Sequence, residues 1–127
     1  MSIKRDAADT AFSKAVRFRD KECLKCGRED TLQCCHIYGR RAKIVRWSFD
    51  NAICMCAGCH RYYTENPIAF NNWLMSFLGS GHMELLTEKT RSHLKTTSSL
   101  RKEIAKHYKN ELKKAEADSS YTMISYN

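Results

Sequence analysis

Two short cysteine pairs constrain this chain more than any other feature. Cys23-Leu24-Lys25-Cys26-Gly27 and Cys56-Ala57-Gly58-Cys59-His60 each hold two thiols separated by two residues. That spacing lets one turn present both sulfurs to a single ion, and two such turns complete a tetrahedral four-thiolate shell suited to structural zinc. The fold must therefore bring residues 23–26 and 56–59 together. Residues 27–55 lie between the pairs, a gap longer than the roughly 15–20 residues of a simple zinc ribbon, so something else is built inside it.

All 7 cysteines fall between positions 23 and 59. The odd count, and a start MSIKRDAADT with no apolar core, argue against a secreted disulfide framework and for metal binding in the cytoplasm. Cys34 and Cys54 read as small buried hydrophobes. Cys35 stands directly before a histidine and needs separate treatment.

The chain is 127 residues long, enough for one domain, and carries 22 Lys+Arg against 14 Asp+Glu, a net charge of +8. Such an excess suits a polyanion, either nucleic acid or an anionic membrane. Its apolar runs are far too short to span a bilayer, which leaves nucleic acid as the expected partner. The expected organisation is a single α+β domain. An N-terminal helix fills 6–20 within segment 1–20, with Ala8, Phe12, Ala15 and Val16 on one face. The cysteine-bearing core spans 21–65, with strand-like runs at Leu32–Ile37 and Asn51–Met55. A helical part covers 66–117. Asn66-Pro67 opens its first helix, Gly79-Ser80-Gly81 closes it, and a short helix follows at 83–91. Ser98 and Ser99 then cap a last helix from Leu100 to Ala117, whose thin stripe includes Leu100, Ile104, Tyr108 and Leu112. The tail 118–127 has no pattern and is expected to fray.

The insertion holds the chemistry. His36, Asn51 and His60 occur in that order, within and beside the double cysteine frame, with five basic residues and one acid from His36 through Arg61. The pattern Cys23-x-x-Cys26-Gly27, His36-Ile37, Asn51, Cys56-x-x-Cys59-His60 resembles the zinc-bearing HNH, or His-Me finger, nucleases. Arg17-Phe18-Arg19-Asp20, Arg46-Trp47 and Asn66-Pro67 extend the similarity to phage recombination nucleases of the NinG/Rap type and, more distantly, to the endonuclease VII group.

The resemblance implies a zinc-stabilised ββα-metal core flanked by helices, and metal-dependent hydrolysis of DNA phosphodiesters, on branched recombination or repair intermediates. His36 is the implied general base, since an imidazole titrates near neutrality. His60 is the first candidate ligand of a catalytic Mg²⁺ or Mn²⁺, and Asn51 is expected to hold the loop after His36. The family commonly places a ligand where Cys35 stands. A thiolate is a poor match for Mg²⁺, so either Cys35 binds a softer ion or it does not ligate, and Asp50 is a candidate oxygen donor in its stead. Arg40, Arg41, Lys43, Arg46 and Arg61, with Lys102, Lys106, Lys109 and Lys113 of the last helix, are the expected phosphate contacts. Resolving a symmetric junction takes two active sites, which favours a homodimer, and a phage-encoded enzyme would act in the cytoplasm of its bacterial host. The competing reading is a zinc module that grips nucleic acid without cutting it.

Overall fold

The computed structural model describes residues 5–127. It is an α+β fold in which a two-stranded antiparallel sheet is combined with five α-helices. Helix α1 spans Ala7–Asp20. The Asp6 carboxylate accepts from the Asp9 N–H at 2.9 Å, and the Asp9 carboxylate accepts from the Asp6 N–H at 3.0 Å, closing a reciprocal cap. The helix ends at Lys21 in the left-handed region, whose N–H returns to the Arg17 carbonyl.

Strand β1, Leu32–His36, pairs with β2, Ala52–Cys56, so that Cys34 faces Cys54 and His36 faces Ala52. A single 3-10 turn, Phe49–Asn51, leads into β2. Helix α2, Ala57–Glu65, starts directly off β2, and Cys56 Sγ accepts the Cys59 N–H to cap it. Helix α3, Pro67–Leu78, opens with proline in its first turn and stops at Gly79, whose φ of 89° favours glycine. Helix α4 is Ser80–Thr90, beginning three residues before the expected 83, and α5 is Ser98–Ala117.

Strand alternation divides the core between the two faces of the hairpin. Ala52 and Cys54 join Phe12, Ala15 and Val16 of α1, Ile104 and Tyr108 of α5, and Trp47. Cys35, Ile53 and Met55 point the other way and pack with Cys23, Tyr63 and Leu74.

Two expectations require correction. Thr97, rather than Ser98 or Ser99, caps α5, its side chain accepting the Leu100 N–H at 3.1 Å. The tail does not fray. Tyr121 Oη and the Ile124 N–H both donate to Glu111 at 2.7 Å, the Tyr126 N–H donates to Tyr108 Oη, and Asn127 Nδ2 reaches the Ile44 carbonyl. An irregular segment tied down by scattered partners leaves no periodic trace in its sequence. The α5 stripe is used within the chain, with Ile104 and Tyr108 fully buried against α1. Among the described residues no helix is long and apolar enough to cross a membrane.

Candidate functional site

The four knuckle cysteines converge. Their sulfurs lie within 4.8 Å of one another, and Cys26 Sγ stands 3.7 Å from Cys56 Sγ. Zinc–sulfur bonds of about 2.3 Å in a tetrahedron imply sulfur separations of about 3.8 Å, so the donor set is compatible with structural zinc. The local backbone explains the convergence. Gly27 sits at φ +81°, its N–H donating to the Cys23 carbonyl at 2.8 Å, and the Leu24 N–H donates to the Cys54 carbonyl, joining the first knuckle to β2.

Four crowded thiols cannot all ionise without a cation. Burial opposes ionisation of Cys23, but hydrogen bonds from the Cys56, Cys26 and Lys25 backbone prevail and pull its thiol down to about 6. Burial and the neighbouring sulfurs push Cys59 up. Among the described residues these four form the one group of three or more ligand side chains close enough to share an ion.

The histidines meet elsewhere, in a pocket of about 290 Å³ lined by Asp9, Cys34, His36, Gly39, Arg40 and His60 together with Arg5 and Ser13. His36 ends β1 and packs against Phe12, with ring centroids 5.8 Å apart. Its Nε2 lies 2.9 Å from the Arg46 carbonyl. A carbonyl only accepts, so Nε2 carries the proton and Nδ1 keeps a lone pair. Burial lowers the His36 pKa from 6.5, against the raising effects of the Arg46 carbonyl and Asp9, so the ring is neutral at pH 7.

His60 lies in the first turn of α2, across the hairpin. Its Nδ1 donates to Gln33 Oε1 at 2.7 Å, which leaves Nε2 with a free lone pair, and burial lowers its pKa too. Asn51 is fully buried and grips the loop after His36 from both sides. Its Oδ1 accepts the Tyr38 N–H at 2.8 Å and its Nδ2 donates to the Tyr38 carbonyl at 2.9 Å. Main-chain pairing of Ile37 with the Asn51 carbonyl continues the same clamp.

Of the pocket's three charged residues, Arg5, Asp9 and Arg40, the last two face each other. Asp9 is buried and saturated: Oδ1 accepts from Arg46 Nε at 2.9 Å and Trp47 Nε1 at 3.1 Å, while Oδ2 accepts from Arg46 Nη2 at 2.5 Å. Arg40 approaches the same carboxylate at 3.8 Å, yet its buried Nη1 makes no hydrogen bond within the described residues. A guanidinium N–H without an acceptor, beside two neutral imidazoles, suits an incoming anion.

A model of the family described as Bacteriophage Lambda NinG protein matches residues 3–118. The chain belongs to the NinG family. No curated protein and no solved structure matches it.

The structure relocates several residues of this NinG chain. Cys35 does not line the histidine pocket. It is buried on the opposite face of β1 from His36, and burial together with Cys23 pushes its thiol up to about 12. Adjacent strand residues point to opposite faces, and that reason was already present in the sequence. Asp50 is exposed, paired with Lys89 at 3.6 Å, and also lies outside the pocket. Arg46 is corrected as a phosphate contact. It is 1% exposed and neutralised by Asp9, so it organises the core.

Arg41 and Lys43 line a separate basic hollow with Lys95, and Arg61 is exposed and pairs with Glu65. Lys102, Lys106, Lys109 and Lys113 are exposed along α5. Gln33 and Asp9 were not foreseen. Gln33 stands at β1 with no motif of its own. Asp9 had a local signal, an acid in the first turn of a helix, but nothing local says that it receives an arginine 37 residues away.

Proposed function

We propose that this NinG-family chain is a metal-dependent DNA endonuclease of the HNH type, with β1, β2 and α2 as its ββα-metal unit, acting on branched DNA in phage recombination. The observation that carries the reading is the orientation of His36. The Arg46 carbonyl fixes its tautomer, and the Nδ1 lone pair belongs to a neutral ring in a pocket shared with His60 and Arg40.

In this reading His36 Nδ1 takes the proton of the attacking water, and burial keeps the ring unprotonated at neutral pH. Asn51 holds the His36 loop so that the base does not drift. Arg40 lends its unpartnered N–H to a phosphate oxygen, where charge grows in the transition state. His60 is the residue that would hold a divalent ion, through Nε2, with Gln33 orienting the ring from behind. When bound, that ion supplies charge neutralisation at the phosphate and stabilisation of the departing 3′ oxygen. The Asp9 oxygens are already occupied, so water and substrate must complete the shell. A single imidazole donor suits Mn²⁺ better than Mg²⁺.

His36→Ala tests the reading. The variant is expected to retain zinc and DNA binding while losing cleavage of a four-way junction and of linear duplex in Mg²⁺ or Mn²⁺. Equal cleavage by His36→Ala and the unaltered protein would remove His36 from the mechanism. A wild-type protein that binds DNA but cuts none of these substrates would instead favour the non-catalytic module.

A further inference from the structure

We infer that the groove between α5 and the first turn of α1 is a second docking site for the backbone of duplex DNA, separate from the pocket of His36. The inference rests on the DNA part of the proposed function and does not depend on catalysis.

The groove is about 620 Å³ and is lined by Arg101, Lys102, Lys106, Lys109 and Lys113, with Asp6 as its one acid. Residues 102, 106, 109 and 113 are spaced by four, three and four, so at 100° per residue their side chains stack on one face of the helix. The row is about 16 Å long at 1.5 Å per residue, the axial length of about 5 base pairs. A basic run on a helix is ordinarily just a solvated face. Here three observations point further.

First, two of the three acids of α5 are drawn away from the lysine row, and only Glu116, just past Lys113, stays beside it. Glu103 accepts from Tyr126 Oη, and Glu111 is buried, accepting from Tyr121 Oη and the Ile124 N–H. The docked tail thus covers the acidic flank. Second, the four lysines have no ion-pair partner among the described residues, whereas Lys114, on the acidic flank, pairs with Glu111 at 3.2 Å. Third, Arg101 is fixed at the groove wall by Asp6 and Thr96, each at 3.3 Å, while its buried Nε has no acceptor within the described residues.

The groove also adjoins the histidine pocket. Arg5 lines the pocket, and its neighbour Asp6 lines the groove. In each, a carboxylate from the start of α1 faces an arginine that keeps a buried, unpartnered N–H: Asp6 with Arg101, Asp9 with Arg40.

The test neutralises the row, with Lys102, Lys106, Lys109 and Lys113 all changed to Gln. A charge-matched control changes Lys14, Lys21, Lys25 and Arg28 to Gln. Binding to a 30-base-pair duplex is titrated at several salt concentrations with no added divalent ion. Hydrolysis of bis(p-nitrophenyl) phosphate with Mn²⁺, a substrate too small to reach the groove, is measured alongside. The groove variant is expected to bind duplex at least about tenfold more weakly, with the slope of log K against log salt reduced by about 3–4. Its hydrolysis of the small phosphodiester stays at the wild-type level. Unchanged affinity and slope overturn the inference, as does an equal loss in the control, which would assign binding to net charge alone. Failure of the nuclease reading looks different: the wild type hydrolyses nothing, yet the groove variant still loses duplex binding.

Discussion

Replacing Asp9 by alanine tests whether the pocket is held by a buried ion pair or merely decorated by one. Asp9 and Arg46 are 4% and 1% exposed at their side chains, and two hydrogen bonds join them. Truncating Asp9 removes the carboxylate that accepts two hydrogen bonds from the buried Arg46 guanidinium and strands the Trp47 indole N–H as well. Breaking a buried pair from one side costs about 3–5 kcal/mol, a large share of the roughly 5–15 kcal/mol that a domain of this kind has. At this chain length the melting temperature should fall by about 10–20 °C. Urea unfolding followed by circular dichroism, with zinc in excess, measures the loss.

The double variant Asp9→Leu with Arg46→Met buries no charge and should recover most of the stability. A loss below about 1 kcal/mol for Asp9→Ala, or a double variant no more stable than the single one, would refute the reasoning. The sign with pH follows from the same pair. Burial works against the Asp9 carboxylate, but the Arg46 hydrogen bonds prevail and hold its pKa below 3.8. Its contribution is therefore complete above about pH 4 and is lost as the pH falls through the lower folded value.

Three further outcomes are expected. Removing residues 119–127 takes two hydrogen bonds from buried Glu111, leaving it Lys114, and uncovers the core beside Tyr108, so the urea midpoint should drop by the equivalent of about 2–4 kcal/mol; an unchanged midpoint would mean the docked tail contributes nothing. Cys23→Ser, or stripping with a chelator, should abolish cooperative unfolding and the bound zinc seen by elemental analysis, and an apo protein that melts like the holo form would dismiss the four-cysteine assignment. Cleavage should rise with pH along an acid limb whose midpoint lies below 6.5, because burial depresses the pKa of His36 and only the neutral ring accepts a proton; a limb above 6.5 would point to another base.

Much of the molecule could be read from local order. Spacing by two residues, with Gly27 directly after the first pair, picks out the four clustered cysteines without any knowledge of the fold. The apolar period of α1 and the Asn66-Pro67 and Gly79 punctuation of α3 act within a single turn, and their elements formed close to where they were expected. Asn51 was expected to hold the loop after His36, and its two bonds to Tyr38 do hold it. Strand alternation could have separated Cys35 from His36 in advance, had the pleat been weighed against the motif.

Other features belong to the tertiary structure alone. Arg46 reads as one more basic loop residue until α1 delivers Asp9 across 37 positions, and burial then converts a surface charge into a core pair. Gln33 becomes a partner of His60 only because β1 and α2 lie side by side. The tail gains its order from Glu111, Tyr108 and Ile44, contacts that are neither periodic nor near in sequence. The sequence by itself determined the two cysteine pairs, the helices and the net charge, because each depends on residue type and short spacing. Which charges are spent in the core and which stay exposed depended on the packing of distant segments, since only that packing decides which groups lose water and which acids reach which bases.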